Sequence, residues 1–346
     1  MRGNFAINNK IRIYNTPHFG YSGSFLFIIL LLYSLRLLLY FLIKQVMAHP
    51  FTVTSAQKTD SVLSGNIYVH YEIHGSGQPI YLLSGGPGLP PHYLNPIINE
   101  LSKNNQCVLV HQRGTGQTPF VVEENGDYIN KLCDDIHVIK EKLQHKQIII
   151  LGHSWGGMLA MHMATRYPTD IKKLILVSSG GYNVKFLSYF NQNIFSRLSA
   201  DEQRIVSSLG EFSDKLDQHP DRAVLKSELD LFKAAYINIL LNGYVFDKNN
   251  SEKFVLKPGE VNFESSSVIM GSLAASHWDL KEELSKLDIS TLIIQGRQDP
   301  IDLETALKNQ EALRNSELKI FEACGHLPWL EQPKQFYDAV QFFLTD

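Results

Sequence analysis

Apolar residues along this chain alternate between two rhythms. Short runs of β-branched and leucine-rich residues recur at Pro79–Ser84, Gln106–Gln112, Gln147–Gly152 and Leu174–Ser179. Between them, apolar positions fall at helical spacing near Tyr93–Ser102, Tyr128–Gln144 and Gly156–Tyr167. Continuous apolar strands separated by helices predict a parallel sheet covered on both faces. Asn66–Ile73 (NIYVHYEI) instead alternates apolar and polar residues and stops at Gly75, the pattern of an antiparallel strand with one wet face. The rhythm resumes late, with strands at Thr291–Gln295 and Leu318–Phe321 and an amphipathic helix at Pro333–Leu344.

Two stretches break this pattern. From about Tyr182 to Leu280 there is no clear buried-strand run, and helix formers and charges dominate, as in LSADEQRIVSSLGEF. This reads as a helical insertion between two strands. The other is Phe25–Ile43 (FLFIILLLYSLRLLLYFLI), where only Ser34 and Arg36 are not apolar. It approaches the ~20 apolar residues a helix needs to cross a bilayer. The domain reading is therefore a basic, hydrophobic head at 1–48, a core formed by 49–181 and 281–346, and a helical cap at 182–280.

Charge sharpens the picture of the head. The 346 residues carry 32 Lys+Arg and 35 Asp+Glu, a net charge of −3. The first acid is Asp60, so six of the 32 bases precede every acid. That leaves 26 bases against 35 acids, a charge of −9, from residue 60 onward. A mildly acidic body argues against nucleic-acid binding, which needs a basic face to neutralise phosphates. Arg2, Lys10 and Arg12 precede the apolar run, which predicts a single-pass membrane protein with its N-terminus cytoplasmic and its main body outside. Two alternatives stand beside that anchor. The head can be a signal peptide cut after Ala48, giving a secreted protein, or Met47 can be the true start of a cytoplasmic one. Cys107, Cys133 and Cys324 are too few and too widely spaced for a disulfide framework or a zinc pattern.

The chemistry concentrates at four strand ends. Gly152-His153-Ser154-Trp155-Gly156-Gly157 follows the strand QIIIL and opens a helix. Gly-x-Ser-x-Gly between a strand and a helix is the nucleophile elbow, in which a tight turn lifts Ser154 clear of the sheet at a helix N-terminus. Such a serine needs a base, and the base an orienting acid, in the chain order Ser…Asp/Glu…His. Asp299 follows the strand TLIIQ within Gly296-Arg297-Gln298-Asp299-Pro300, and His326 follows the next strand within Gly325-His326-Leu327-Pro328. Both fall at carboxyl ends of strands, on the rim where open α/β sheets build their sites. Ser84-Gly85-Gly86-Pro87-Gly88 follows PIYLL, and a glycine-rich turn there lets the Gly86 N–H join that of Trp155 as an oxyanion hole. His153 reads as a packing residue in the variable elbow position. No His, Asp or Glu spacing suggests a metal, and acyl transfer by this triad needs no cofactor.

These motifs, GGPG at 85–88, QRGTGQT at 112–118, GHSWGG at 152–157, GRQDP at 296–300 and CGHLPWLEQP at 324–333, resemble the α/β-hydrolase fold, and within it the proline iminopeptidase group of serine aminopeptidases. The resemblance covers roughly 65–346. It implies an eight-stranded, mostly parallel sheet with a helical cap after the sixth strand. It also implies Ser154 as nucleophile, Asp299 as acid, His326 as base, and Gly86 and Trp155 as oxyanion donors. The group usually reads HGGPG and DQRG, whereas Ser84 and His111 stand in those places here. Its members bind a free α-amino group through cap glutamates, for which Glu228 and Glu264 are the choices among Glu211, Glu228, Glu260 and Glu264. The activity implied is release of N-terminal proline from small peptides. The alternatives are a carboxylesterase or other small-molecule ester hydrolase, and a non-catalytic α/β-hydrolase serving as a ligand-binding protein.

Overall fold

A computed structural model describes residues 57–123, 126–217 and 226–345. Among them, eight strands form one sheet in the order β1-β2-β4-β3-β5-β6-β7-β8. The strands are β1 (Lys58–Ser64), β2 (Ile67–His74), β3 (Gln78–Leu83), β4 (Asn105–Val110), β5 (Ile148–His153), β6 (Ile171–Val177), β7 (Ser290–Gly296) and β8 (Ser316–Phe321). β1, β2 and β4 pair antiparallel, and every pair from β4 through β8 is parallel. The crossover from β3 to β4 is α1 (Asn95–Leu101); α2 (Tyr128–Lys142) leads to β5 and α3 (Trp155–Arg166) to β6.

Between β6 and β7 the chain forms α4 (Leu187–Ser196), α5 (Ala200–Asp217), α6 (Lys226–Leu240), α7 (Phe263–Ala275) and α8 (Lys281–Leu284). It then adds α9 (Leu303–Ala312) between β7 and β8, and closes with α10 (Pro328–Glu331) and α11 (Pro333–Thr345). The apolar strands separate two cores. Ile148 and Ile150 of β5 pack with Leu132 and Ile136 of α2 and Leu159 of α3 on one face. Ile149 and Leu151 pack with Ile97 of α1 and Phe336 and Val340 of α11 on the other. A strand buried on both faces favours apolar residues throughout, which is why β5 runs unbroken from Ile148 to Leu151 before Gly152 and His153 open the elbow. Cys107 lies in β4 and Cys133 in α2, and both thiols and that of Cys324 are buried and free.

The expected membrane placement is corrected. No helix among the described residues is long and apolar enough to cross a membrane. The segment Phe25–Ile43 lies outside the described residues, so the single-pass topology and the membrane association read from it are not carried forward.

Candidate active site

The site is built from the carboxyl ends of β3, β5, β7 and β8. Ser154 ends the turn between β5 and α3 with φ 55° and ψ −117°, a left-handed conformation that non-glycine residues rarely adopt. The glycines around it make the turn possible. A Cβ on Gly152 would lie 2.2 Å from the carbonyl oxygen of Gly156, and one on Gly156 would lie 2.2 Å from that of Leu83. Neither position admits a side chain without moving backbone. The turn is pinned from outside as well. The Ser154 N–H donates to the Val177 carbonyl at 3.0 Å, and the Ser154 carbonyl accepts from the amides of Gly157 at 3.0 Å and Gly180 at 3.2 Å. Ser154 thus stands as the N-cap of α3, where helix amides favour developing negative charge.

Asp299 and His326 are together. His326 Nδ1–H donates to both Asp299 carboxylate oxygens, at 2.9 and 3.0 Å, and each residue is 2% exposed. Burial at that level leaves the pair no water to compete for the bond, so the carboxylate fixes the tautomer and leaves Nε2 as the basic nitrogen. Asp299 Oδ1 also accepts from the Ile301 amide at 2.8 Å. The two loops are stitched to each other: the Gln298 amide donates to the Cys324 carbonyl at 2.9 Å, and the Cys324 amide donates to Gln298 Oε1 at 3.0 Å.

The inter-strand helices brace this pair. Arg197, after α4, donates to the carbonyls of Gln298 and Asp299, the latter at 2.9 Å, and Asn193 Nδ2 donates to that of Pro300 at 2.9 Å. The His326 amide donates to the Tyr244 carbonyl at 2.7 Å, and the Tyr244 ring meets the imidazole edge-on at 5.1 Å. Glu331 Oε1 accepts from the Gly325 amide at 2.9 Å and Oε2 from the Phe246 amide at 2.7 Å, so one carboxylate spans the His326 loop and the segment after Tyr244. Burial raises the Glu331 pKa, and those amides pull it back in part.

On the opposite side, Gly86 has φ 116° in the turn after β3. Gln112 Nε2 donates to the Ser84 carbonyl at 2.9 Å, while Gln112 Oε1 accepts from Trp155 Nε1 at 2.9 Å. One side chain therefore ties Trp155, the neighbour of Ser154, to the turn carrying Gly86. The Gly88 carbonyl accepts from the Asn262 amide at 2.9 Å, docking the start of α7 on the same turn.

Sequence reasoning missed Arg197, Tyr244, Gln112 and Tyr93, and read His153 only as packing. His153 Nδ1 lies 2.7 Å from Tyr93 Oη and its Nε2 lies 2.9 Å from the His326 carbonyl. Glu264 is exposed in the first turn of α7. Glu228 belongs to α6, but its side chain lies outside the described residues, as does that of Glu211.

Among the described residues, one cluster has the composition of a metal site. Ligand atoms of Glu72, His92 and His111 lie within 4.8 Å of one another. The hydrogen bonds do not suit a metal. His111 Nδ1 accepts from the Gln117 amide at 3.1 Å, so its proton sits on Nε2 and is donated to Glu72 Oε1 at 3.2 Å. A metal on Nε2 would require a proton on Nδ1, facing an amide N–H; ligating histidines instead donate from the second nitrogen. His74 and His92 also bond Glu72, at 3.1 and 2.7 Å. Burial works against the charged Glu72 carboxylate, but bonds from His111, His74 and His92 outweigh it and hold the pKa well below the usual range.

The sequence profile of the alpha/beta hydrolase fold family matches residues 78–333, most of the chain. The chain belongs to that family. Among its relatives, the proline iminopeptidase of Saccharolobus solfataricus is 24% identical over 284 residues, covering 81% of this chain and 89% of the relative. The cis-3-alkyl-4-alkyloxetan-2-one decarboxylase of Shewanella oneidensis is also 24% identical, over 288 residues, with 80% and 85% covered. Among solved structures, an alpha/beta fold family hydrolase from Bacillus anthracis matches this α/β-hydrolase with a TM-score of 0.63 at 18% identity, covering 83% of this chain and 99% of that one. That level of identity speaks for the fold alone.

Proposed function

We propose that this α/β-hydrolase is a serine hydrolase acting by acyl transfer on small amide or peptide substrates, as an aminopeptidase that releases N-terminal proline. The observation that carries the reading is a buried Asp299–His326 pair sharing a strand-end rim with a serine held at positive φ on a glycine elbow. His326 Nε2 takes the proton of Ser154 as its oxygen attacks the carbonyl carbon. The N–H groups of Trp155 and Gly86 receive the oxyanion. His326 then protonates the leaving amine, and water releases the acyl group by the same steps. Residues 182–280 act as a cap that admits short ligands, with Glu264 and Glu228 as candidates for the substrate's amino group. The choice of proline rests on the motif resemblance and on proline iminopeptidases standing among the relatives.

The test compares prolyl-arylamide with aryl acetate, alongside labelling by a fluorophosphonate that reacts only with an activated serine. Wild type is expected to label at Ser154 and to cleave the amide. Ser154→Ala should lose about 10⁶-fold in kcat, the scale set by removing a triad nucleophile. Ready ester cleavage without amide cleavage would replace the aminopeptidase by an esterase. Failure to label would leave only a ligand-binding fold.

A further inference from the structure

A line of hydrogen bonds runs behind the triad, and each proton in it is assigned by chemistry. The His326 carbonyl can only accept, so His153 Nε2 carries the proton that bridges them at 2.9 Å. A neutral imidazole with that proton leaves Nδ1 as an acceptor, so Tyr93 gives its single hydroxyl proton to Nδ1 across 2.7 Å. Tyr93 Oη is then free to accept, and the Gly85 amide donates to it at 2.5 Å. All three bonds point the same way, an arrangement in which each bond polarises the next. His153 is 2% exposed and Tyr93 6%, and the Trp329 and His153 rings stand perpendicular with centroids 4.8 Å apart. Water therefore has little access to substitute for a lost member.

We propose that His153 is a positioning residue which, through Tyr93, holds the Gly85–Gly86 turn and the backbone of His326 in fixed relation to the serine that follows it in the chain. The inference rests on the serine-hydrolase reading above. The two loops it joins follow β3 and β8, which are separated in the sheet by β5, β6 and β7. No direct backbone ladder can hold them in register, and one imidazole bridges the gap. An imidazolium would break the pattern, because Nδ1–H would face the Tyr93 oxygen and strand the hydroxyl proton. Burial, reinforced by the nearby His326, keeps the His153 pKa well below its ordinary value, in keeping with that requirement.

The test uses the full chain and the variants Tyr93→Phe, His153→Ala, His153→Gln and the double variant Tyr93→Phe/His153→Ala. Leaving buried members unsatisfied should cost about 10- to 100-fold in kcat and in the rate of fluorophosphonate labelling, with KM within about twofold. His153→Gln, which can both donate and accept, should recover part of the loss. The double variant should be no slower than His153→Ala, because both changes cut one chain. Multiplying losses, or losses confined to KM, would overturn the proposal. ¹⁵N-histidine spectra of the wild type give a readout independent of turnover: the signal missing in His153→Gln must show a proton on Nε2 and none on Nδ1, and the reverse tautomer refutes the chain. A wild type with the Nε2–H signature that does not label would overturn the serine-hydrolase reading instead.

Discussion

Replacing Gly152 by alanine tests whether the elbow's closeness is what aims Ser154. The added Cβ would fall 2.2 Å from the Gly156 oxygen and 2.5 Å from its carbonyl carbon, against a floor of 3.0 Å for real Cβ contacts. Both atoms are backbone of the first turn of α3, so no side chain can step aside. The turn must open by about 0.8 Å, and a misplacement near 1 Å costs on the order of 10²-fold in rate. Overpacking adds a stability cost of about 1–3 kcal/mol. Gly271 supplies the control, since it lies in the exposed middle of α7 with nothing within 4 Å of its added Cβ. Gly271→Ala should leave kcat unchanged and stabilise the fold by about 0.5–1 kcal/mol, the helix preference for alanine. The assay is kcat and KM on the better of the two arylated substrates, with fluorophosphonate labelling rates and thermal melts of both variants. Wild-type kcat in Gly152→Ala would refute the argument that this contact sets the position of Ser154.

Three further outcomes are expected. Asp299→Asn should keep the fold but lower kcat by about 10⁴-fold, because the amide no longer enforces the Nδ1–H tautomer of His326; steady-state kinetics decide it, and a loss below tenfold counts against the triad. Arg113 donates twice to Asp135, at 2.7 Å from Nε and 2.7 Å from Nη2, with both side chains buried. Arg113→Met should therefore cost about 3–5 kcal/mol by stranding a buried carboxylate, and Arg113→Met/Asp135→Leu should regain much of it in denaturant titrations. His162 accepts from Trp278 Nε1 and donates to Asn130 Oδ1, and burial depresses its pKa to about 4. A depressed histidine stabilises fully above its unfolded pKa of about 6.5 and loses that contribution as pH falls toward 4. Stability should fall less steeply between those values in His162→Gln than in wild type, and parallel pH profiles would sink the assignment.

Much of the fold could be read in the sequence because its strands differ so clearly from its helices. β5 is buried on both faces and shows as an unbroken apolar run, while β2 has one wetter face and shows as alternation. β1 escaped notice for a physical reason. It is an edge strand of sequence KTDSVLS that pairs only with β2 and packs little more than Val62 on the core, so few of its positions select apolar residues. α9 leaves equally little mark in the sequence, since only part of one face is buried and its apolar spacing is weak. Ser154, Asp299 and His326 were legible because each follows a recognisable strand end. The residues that hold them were not. Arg197 reaches a carbonyl 101 positions away and His153 one 173 positions away, and no local pattern marks either pairing.

The clasp between the inter-strand helices and the His326 loop has an engineering consequence. The amide of His326 is satisfied by the Tyr244 carbonyl, and Arg197 caps the carbonyls beside Asp299. Excising 182–280, or grafting in the equivalent segment of a distant relative, would not yield a bare core with a ready triad. It would yield a sheet whose His326 has lost its seat. Any chimera of this fold has to carry the Tyr244 and Arg197 anchors along with the pocket it seeks to borrow.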